Sequence, residues 1–147
     1  MYEILKSAHS GWRYVVLVLL VLALIQALSG WLGKKAYTEA NRKMNVFTLI
    51  GTHIQVLLGL AVYFMGGWFK ANATEAATRY WKMEHLSMMI LAVILITIGN
   101  SKSKKLKEAA AKHRTIAIFF GIALIIIIGS VFMMVKNVPG RTFFGMS

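Results

Sequence analysis

The sequence contains no cysteine and a single proline in 147 residues. Without cysteine there can be no disulfide, thiolate nucleophile, Fe–S cluster or thiolate zinc site. Covalent c-type haem attachment, which needs Cys-x-x-Cys-His, is excluded as well. Any resident cofactor must therefore be held by His, Met, carboxylate or backbone groups. A single proline leaves long helices uninterrupted. Acidic residues are also scarce, with five Asp and Glu against 17 Lys and Arg, for a net charge of +12. Charged residues make up only 15% of the chain and hydrophobic residues 58%. So little charge cannot cover so much apolar surface in water, and the same numbers exclude intrinsic disorder. No Gly-rich phosphate loop is present, and Gly66-Gly67 reads as a helix end.

Apolar runs are abundant. Four of them, at 14–33, 44–69, 85–101 and 115–135, lack Lys, Arg, Asp and Glu, and crossing a bilayer takes about 20 such residues. In lipid these runs must be helical to satisfy their own backbone. With flanking residues that favour helix, the pattern predicts spans over about 8–33, 44–69, 80–101 and 108–136. The first is read as a span rather than a signal peptide, because it continues through Trp31. The connections are short, which forces antiparallel neighbours. The expected fold is one all-α, integral membrane, up-down-up-down four-helix domain.

The distribution of charge orients the bundle. Ten of the 17 Lys and Arg fall in 34–43 and 102–114. By the positive-inside rule these loops face the cytoplasm and both termini lie outside. The expected location is the inner, cytoplasmic membrane of a bacterium. The Lys-rich stretch at 102–107 is read as a solvated inside loop and not as a nucleic-acid site. Trp12, Tyr14, Tyr80 and Trp81 read as an outer aromatic belt, with Trp68 at the same interface and Trp31 at the inner one.

Four histidines, one per span, are the informative feature. An ionisable residue inside a membrane is costly and marks a functional hypothesis. With the orientation above, His9 and His85 fall near the outer ends of the first and third spans. His53 lies nine residues past Met44 and His113 nine residues past Lys104, both on the inner side. They sort into an outer pair, His9/His85, and an inner pair, His53/His113. Each pair sits on diagonal helices, roughly 11–14 Å apart when neighbours are 8–10 Å apart. That spacing suits two imidazoles with an iron between them, and His is an ordinary axial haem ligand. The expectation is two b-type haems per chain, one per leaflet. Small residues fall at the same levels: Ala23, Ala27, Gly30 and Gly99 on the inner side, and Gly59, Ala61, Gly66, Gly67, Gly129 and Ser130 on the outer. Arg13 and Arg114 are candidate partners for the haem propionates. Glu84, directly before His85, is the candidate for a proton-coupled role.

The chain resembles the four-helix membrane cytochromes b, which place bis-His b haems between helices of one bundle. The segments 52–59 (THIQVLLG), 84–89 (EHLSMM) and 112–114 (KHR) also resemble the His-bearing helices of one half of haem A synthase. That half bundle carries one His pair, whereas this chain carries two, which favours an electron carrier. The resemblance implies electron transfer between a quinone pool, or a respiratory partner, and a second acceptor. The alternatives are a haem-handling or biogenesis protein and an accessory subunit of a larger respiratory membrane complex. Assembly with a second copy is left open.

Overall fold

The computed structural model describes residues 1–67, 70 and 80–138, with Trp81 and Lys82 described by their backbone alone. Four helices dominate: α1 (Tyr2–Leu32), α2 (Glu39–Met65), α3 (His85–Lys105) and α4 (Ala109–Asn137). They contain 31, 27, 21 and 29 residues. At 1.5 Å per residue each rises about 30 Å or more, enough for the hydrocarbon core of a bilayer, and all four are apolar enough to cross one. A π-helical turn, Tyr80–Glu84, runs directly into α3. The fold is an all-α four-helix membrane bundle with antiparallel neighbours.

Local chemistry sets the helix ends. α1 stops where Lys34 takes a left-handed φ of 51° and Lys35 N–H returns to the Gly30 carbonyl at 2.9 Å. α2 begins five residues earlier than the charge pattern suggested. Its N-cap Thr38 accepts from Asn41 N–H at 3.2 Å, while Asn41 Oδ1 accepts from Thr38 N–H at 2.9 Å. This is a capping box with Asn in place of the usual Glu or Gln. Glu39 and Arg42 close an ion pair on the same turn. α2 ends before Gly67, whose φ of 71° suits glycine.

α3 packs closely on α4, α1 on α2, and α1 on α4, while α2/α3 is the loosest seam. α1 therefore lies diagonally across from α3, and α2 from α4. The core is formed by Leu20, Ala23 and Ala27 of α1, Ala92 and Ile96 of α3, and Ile116, Ala117, Phe120, Ala123 and Ile127 of α4. α2 contributes small and polar groups instead, burying Asn45, Thr48, Gly51 and Thr52. Thr48 and Thr52 hydroxyls return to the carbonyls of Met44 and Thr48 at 2.8 and 2.7 Å, so they enter the interface without an unpaired donor. Large aliphatic and aromatic residues point outward, with Leu57, Ile125 and Phe132 more than half exposed. Water would penalise that surface; lipid does not, and small residues inside let the helices approach.

The small residues at the expected levels mostly make room for the protein's own side chains. A Cβ on Gly99 would meet Phe119 Cβ, and one on Gly30 would meet the His113 ring. Ala23 and Ala27 belong to the core.

Candidate functional site

At the end of the bundle that carries the N-terminus, a cavity of about 310 Å³ opens between all four helices. Its wall includes His9 and Arg13 of α1, Gln55 and Gly59 of α2, His85 of α3 and Ser130 of α4. Tyr80 closes it from the π turn.

His9 reaches the axis because Gly59 stands opposite it. A Cβ on Gly59 would lie 3.0 Å from His9 Cε1. Gln55 Nε2 donates to the His9 carbonyl at 2.8 Å, which ties α2 to α1 at this level. His9 Nδ1 and Gln55 Oε1 are both buried with no hydrogen-bond partner among the described residues. Such atoms are expensive unless something fills the site.

His85 is held differently. The Tyr80 hydroxyl lies 2.9 Å from the Ser130 carbonyl, 3.0 Å from Ser130 Oγ and 3.3 Å from His85 Nδ1. A carbonyl can only accept, so the single phenolic proton goes to Ser130 O. With that proton on Ser130 O, Tyr80 Oη is the acceptor facing His85 Nδ1. The π turn makes this contact possible. In an α-helix, residues five apart stand about 140° apart around the axis. The wider π turn returns Tyr80 to the side of His85.

The structure thus brings His9 and His85 together across the diagonal. Their ring centroids are 6.2 Å apart with planes at 86°. Two imidazoles bound axially to one iron, with metal–nitrogen bonds of about 2 Å, put their centroids about 6 Å apart. The cavity volume lies at the lower end of the range of roughly 300–1,000 Å³ for cofactor pockets. Lys6 and Arg13 on its wall supply cations for the carboxylates of such a group. No group of three His, Cys, Asp or Glu side chains converges among the described residues. On separation, volume, buried nitrogen and cations, these residues fit a haem.

His53 and His113 are not brought together. His53 is the fifteenth residue of α2, whereas His113 is the fifth of α4, a difference in level of roughly 15 Å. His53 is exposed at the α2/α3 seam, with Nε2 3.0 Å from Thr97 Oγ1. Because Thr97 donates to the Val93 carbonyl at 2.7 Å, its oxygen accepts from His53 Nε2–H. His113 is only 2% exposed. Its Nε2 donates to the Ala36 carbonyl at 3.1 Å, and its ring meets Tyr37 edge-on. Both Nε2 atoms are taken up in hydrogen bonds. The expected inner pair does not fit one iron in this arrangement. Levels counted from the charges missed it because α2 starts before Met44 and α4 after Lys104.

The remaining site residues separate. Arg13 lines the cavity and rests on Tyr14, with its Nη2 3.0 Å from the phenol oxygen and Cζ 4.9 Å from the ring centroid. Arg114 lies exposed at the opposite end of the bundle. Glu84 is half-buried at the end of the π turn, beside the cavity and not on its described wall. Two residues expected in an aromatic belt sit elsewhere. Tyr80 is 1% exposed, and Trp12 Nε1 donates to the Gly51 carbonyl at 2.8 Å. The expected roles of Trp68 and of the Trp81 indole lie outside the described residues. Tyr80 and Ser130 were missed as a latch, since no sequence signal announces a π turn. Comparison with protein-family models, curated proteins and solved structures gives no match.

Proposed function

We propose that this chain is a membrane-bound b-type cytochrome that holds a haem between His9 and His85 and exchanges electrons with a lipid-soluble quinone or a respiratory partner. The observation that carries the reading is the approach of these two imidazoles to 6.2 Å across a cavity on the axis of a membrane bundle. The haem, when bound, supplies the one-electron chemistry. The chain's own residues bind, orient and insulate it. His85 offers Nε2 because Tyr80 holds the proton on Nδ1. Gln55 and Gly59 set the height and reach of His9. Arg13 and Lys6 neutralise carboxylates at the mouth. Apolar residues such as Leu17, Met89 and Ile127 exclude water from the wall. Glu84, next to His85, is placed to take up or release a proton near the surface. The geometry favours one such group per chain over two, since His53 and His113 share neither a level nor an available Nε2. The bilayer is the bacterial cytoplasmic membrane, with the histidine pair nearer its outer face.

The test is the reduced-minus-oxidised spectrum of the purified protein with a pyridine haemochrome count. One low-spin b haem per chain is expected. His9→Ala and His85→Ala should each abolish it, while His53→Ala and His113→Ala should keep it. A haem-free protein, or retention of the signal in His85→Ala, would overturn the reading.

A further inference from the structure

A second cavity lies at the opposite end of the bundle, outside the corner where α3 ends and α4 begins. It is an open groove of about 350 Å³ lined by Lys102, Leu106, Arg114, Ile118 and Phe119, among others. The approach of the two helices shapes it. Gly99 has no side chain, so Phe119 packs directly on the α3 backbone. Phe119 then forms a floor, and Lys102 Nζ stands 5.5 Å above the centre of its ring. Arg114 is exposed on the other wall. Neither cation is paired with a carboxylate among the described residues, where the one ion pair is Glu39–Arg42. Below the cations the surface becomes wholly apolar, with exposed Ile118, Ile122 and Ile125 along α4 and Ile98 and Ile94 along α3.

We propose that this corner binds an acidic phospholipid, with its phosphate between Lys102 and Arg114 and its acyl chains along the isoleucine track. Two features select this occupant. The polarity changes along the groove in the order of a lipid, anion-binding at the membrane surface and apolar below. The cations differ in kind: Arg114 offers a planar fork that matches two phosphate oxygens, while Lys102 supplies a point charge fixed over an aromatic ring. A free phosphate would use the cations and gain nothing from the track. A zwitterionic lipid would use the track but bring its own cation to the phosphate. Basic pockets at the ends of membrane helices bind acidic headgroups by this combination.

The site is independent of the histidine pair, and its test needs no haem. The purified full-length protein in mild detergent is titrated with phosphatidylglycerol, phosphatidylcholine and inorganic phosphate, and bound lipid is counted by native mass spectrometry. Phosphatidylglycerol adducts are expected in preference to phosphatidylcholine, and phosphate should not displace them. The Lys102→Gln/Arg114→Gln variant should bind phosphatidylglycerol roughly 30-fold more weakly, the equivalent of two lost surface charges. Lys34→Gln/Lys43→Gln removes two equally exposed cations from the same end and should bind as the parent does. Lys102→Arg keeps the charge and should keep the lipid. Equal losses in the two double variants would reduce the site to a diffuse positive field. Equal retention of phosphatidylcholine, or displacement by phosphate, would also overturn the proposal.

Discussion

At the scale of single residues, hydrogen-bond partners separate the four histidines. His85 meets at Nδ1 a tyrosine hydroxyl that donates to Ser130 O. His53 and His113 face Thr97 and Ala36 with Nε2. The Tyr80→Phe variant should therefore lose haem affinity roughly 10- to 100-fold, the usual effect of removing a partner that orients a metal-binding imidazole. Ser130→Ala should have much less effect, because the carbonyl that takes the Tyr80 proton remains. Haem titration of the two variants, with ¹⁵N NMR of His85 to report which nitrogen is protonated, checks this. An unchanged His85 tautomer in Tyr80→Phe would remove Tyr80 from its positioning role. The sequence marked all four histidines as costly groups in lipid, and it paired His9 with His85 by depth alone. Tyr80 escaped because residues five apart do not share a face at 3.6 residues per turn, and only the π turn brings them together.

At the scale of helices, length and apolarity were legible and the ends less so. Every expected span exists, since an uncharged run of this length in a chain with one proline has no other way to satisfy its backbone. The start of α2 was displaced because Thr38 and Asn41 cap it through an uncommon pairing. The start of α4, at Ala109, falls within one residue of the expected 108. His113, on the second turn of α4, becomes a packing element. Its ring lies against Gly30, where a Cβ would come within 2.4–2.6 Å of three ring atoms. Gly30→Ala should destabilise the bundle by about 1–3 kcal/mol, the usual cost of overpacking. In combination with His113→Ala the cost should be markedly less than additive, because removal of the ring frees the space. Thermal unfolding in detergent for the four members of that cycle measures the coupling, and additivity would show that the contact does not matter. Neither change should disturb a group held by His9 and His85 at the other end.

At the scale of the whole molecule, the two ends carry different chemistry. The end formed by the α1/α2 and α3/α4 links and the adjoining helix turns holds ten of the 17 basic residues and the basic corner of Lys102 and Arg114. The opposite end holds the cavity and the histidine pair. That asymmetry makes orientation a functional matter, because it decides which side of the membrane the histidine pair faces. Positive charge near the ends of short loops is retained in the cytoplasm during insertion. Anionic lipid on that leaflet adds about 1 kcal/mol per nearby Lys or Arg. With ten of the 17 basic residues in 34–43 and 102–114, the links and the helix turns beside them, this end should face inward and the histidine pair should open toward the outer surface. The absence of cysteine makes the test clean, since any introduced thiol is the only one. In spheroplasts, an impermeant maleimide should label Ser7→Cys, which is exposed near the N-terminus. It should leave Lys104→Cys unlabelled until the membrane is permeabilised. The reverse pattern would turn the site toward the cytoplasm, and its redox partner would then have to be sought there. It would also place the acidic lipid in the outer leaflet, which separates the orientation argument from the binding argument: the groove keeps its chemistry whichever way the bundle is inserted.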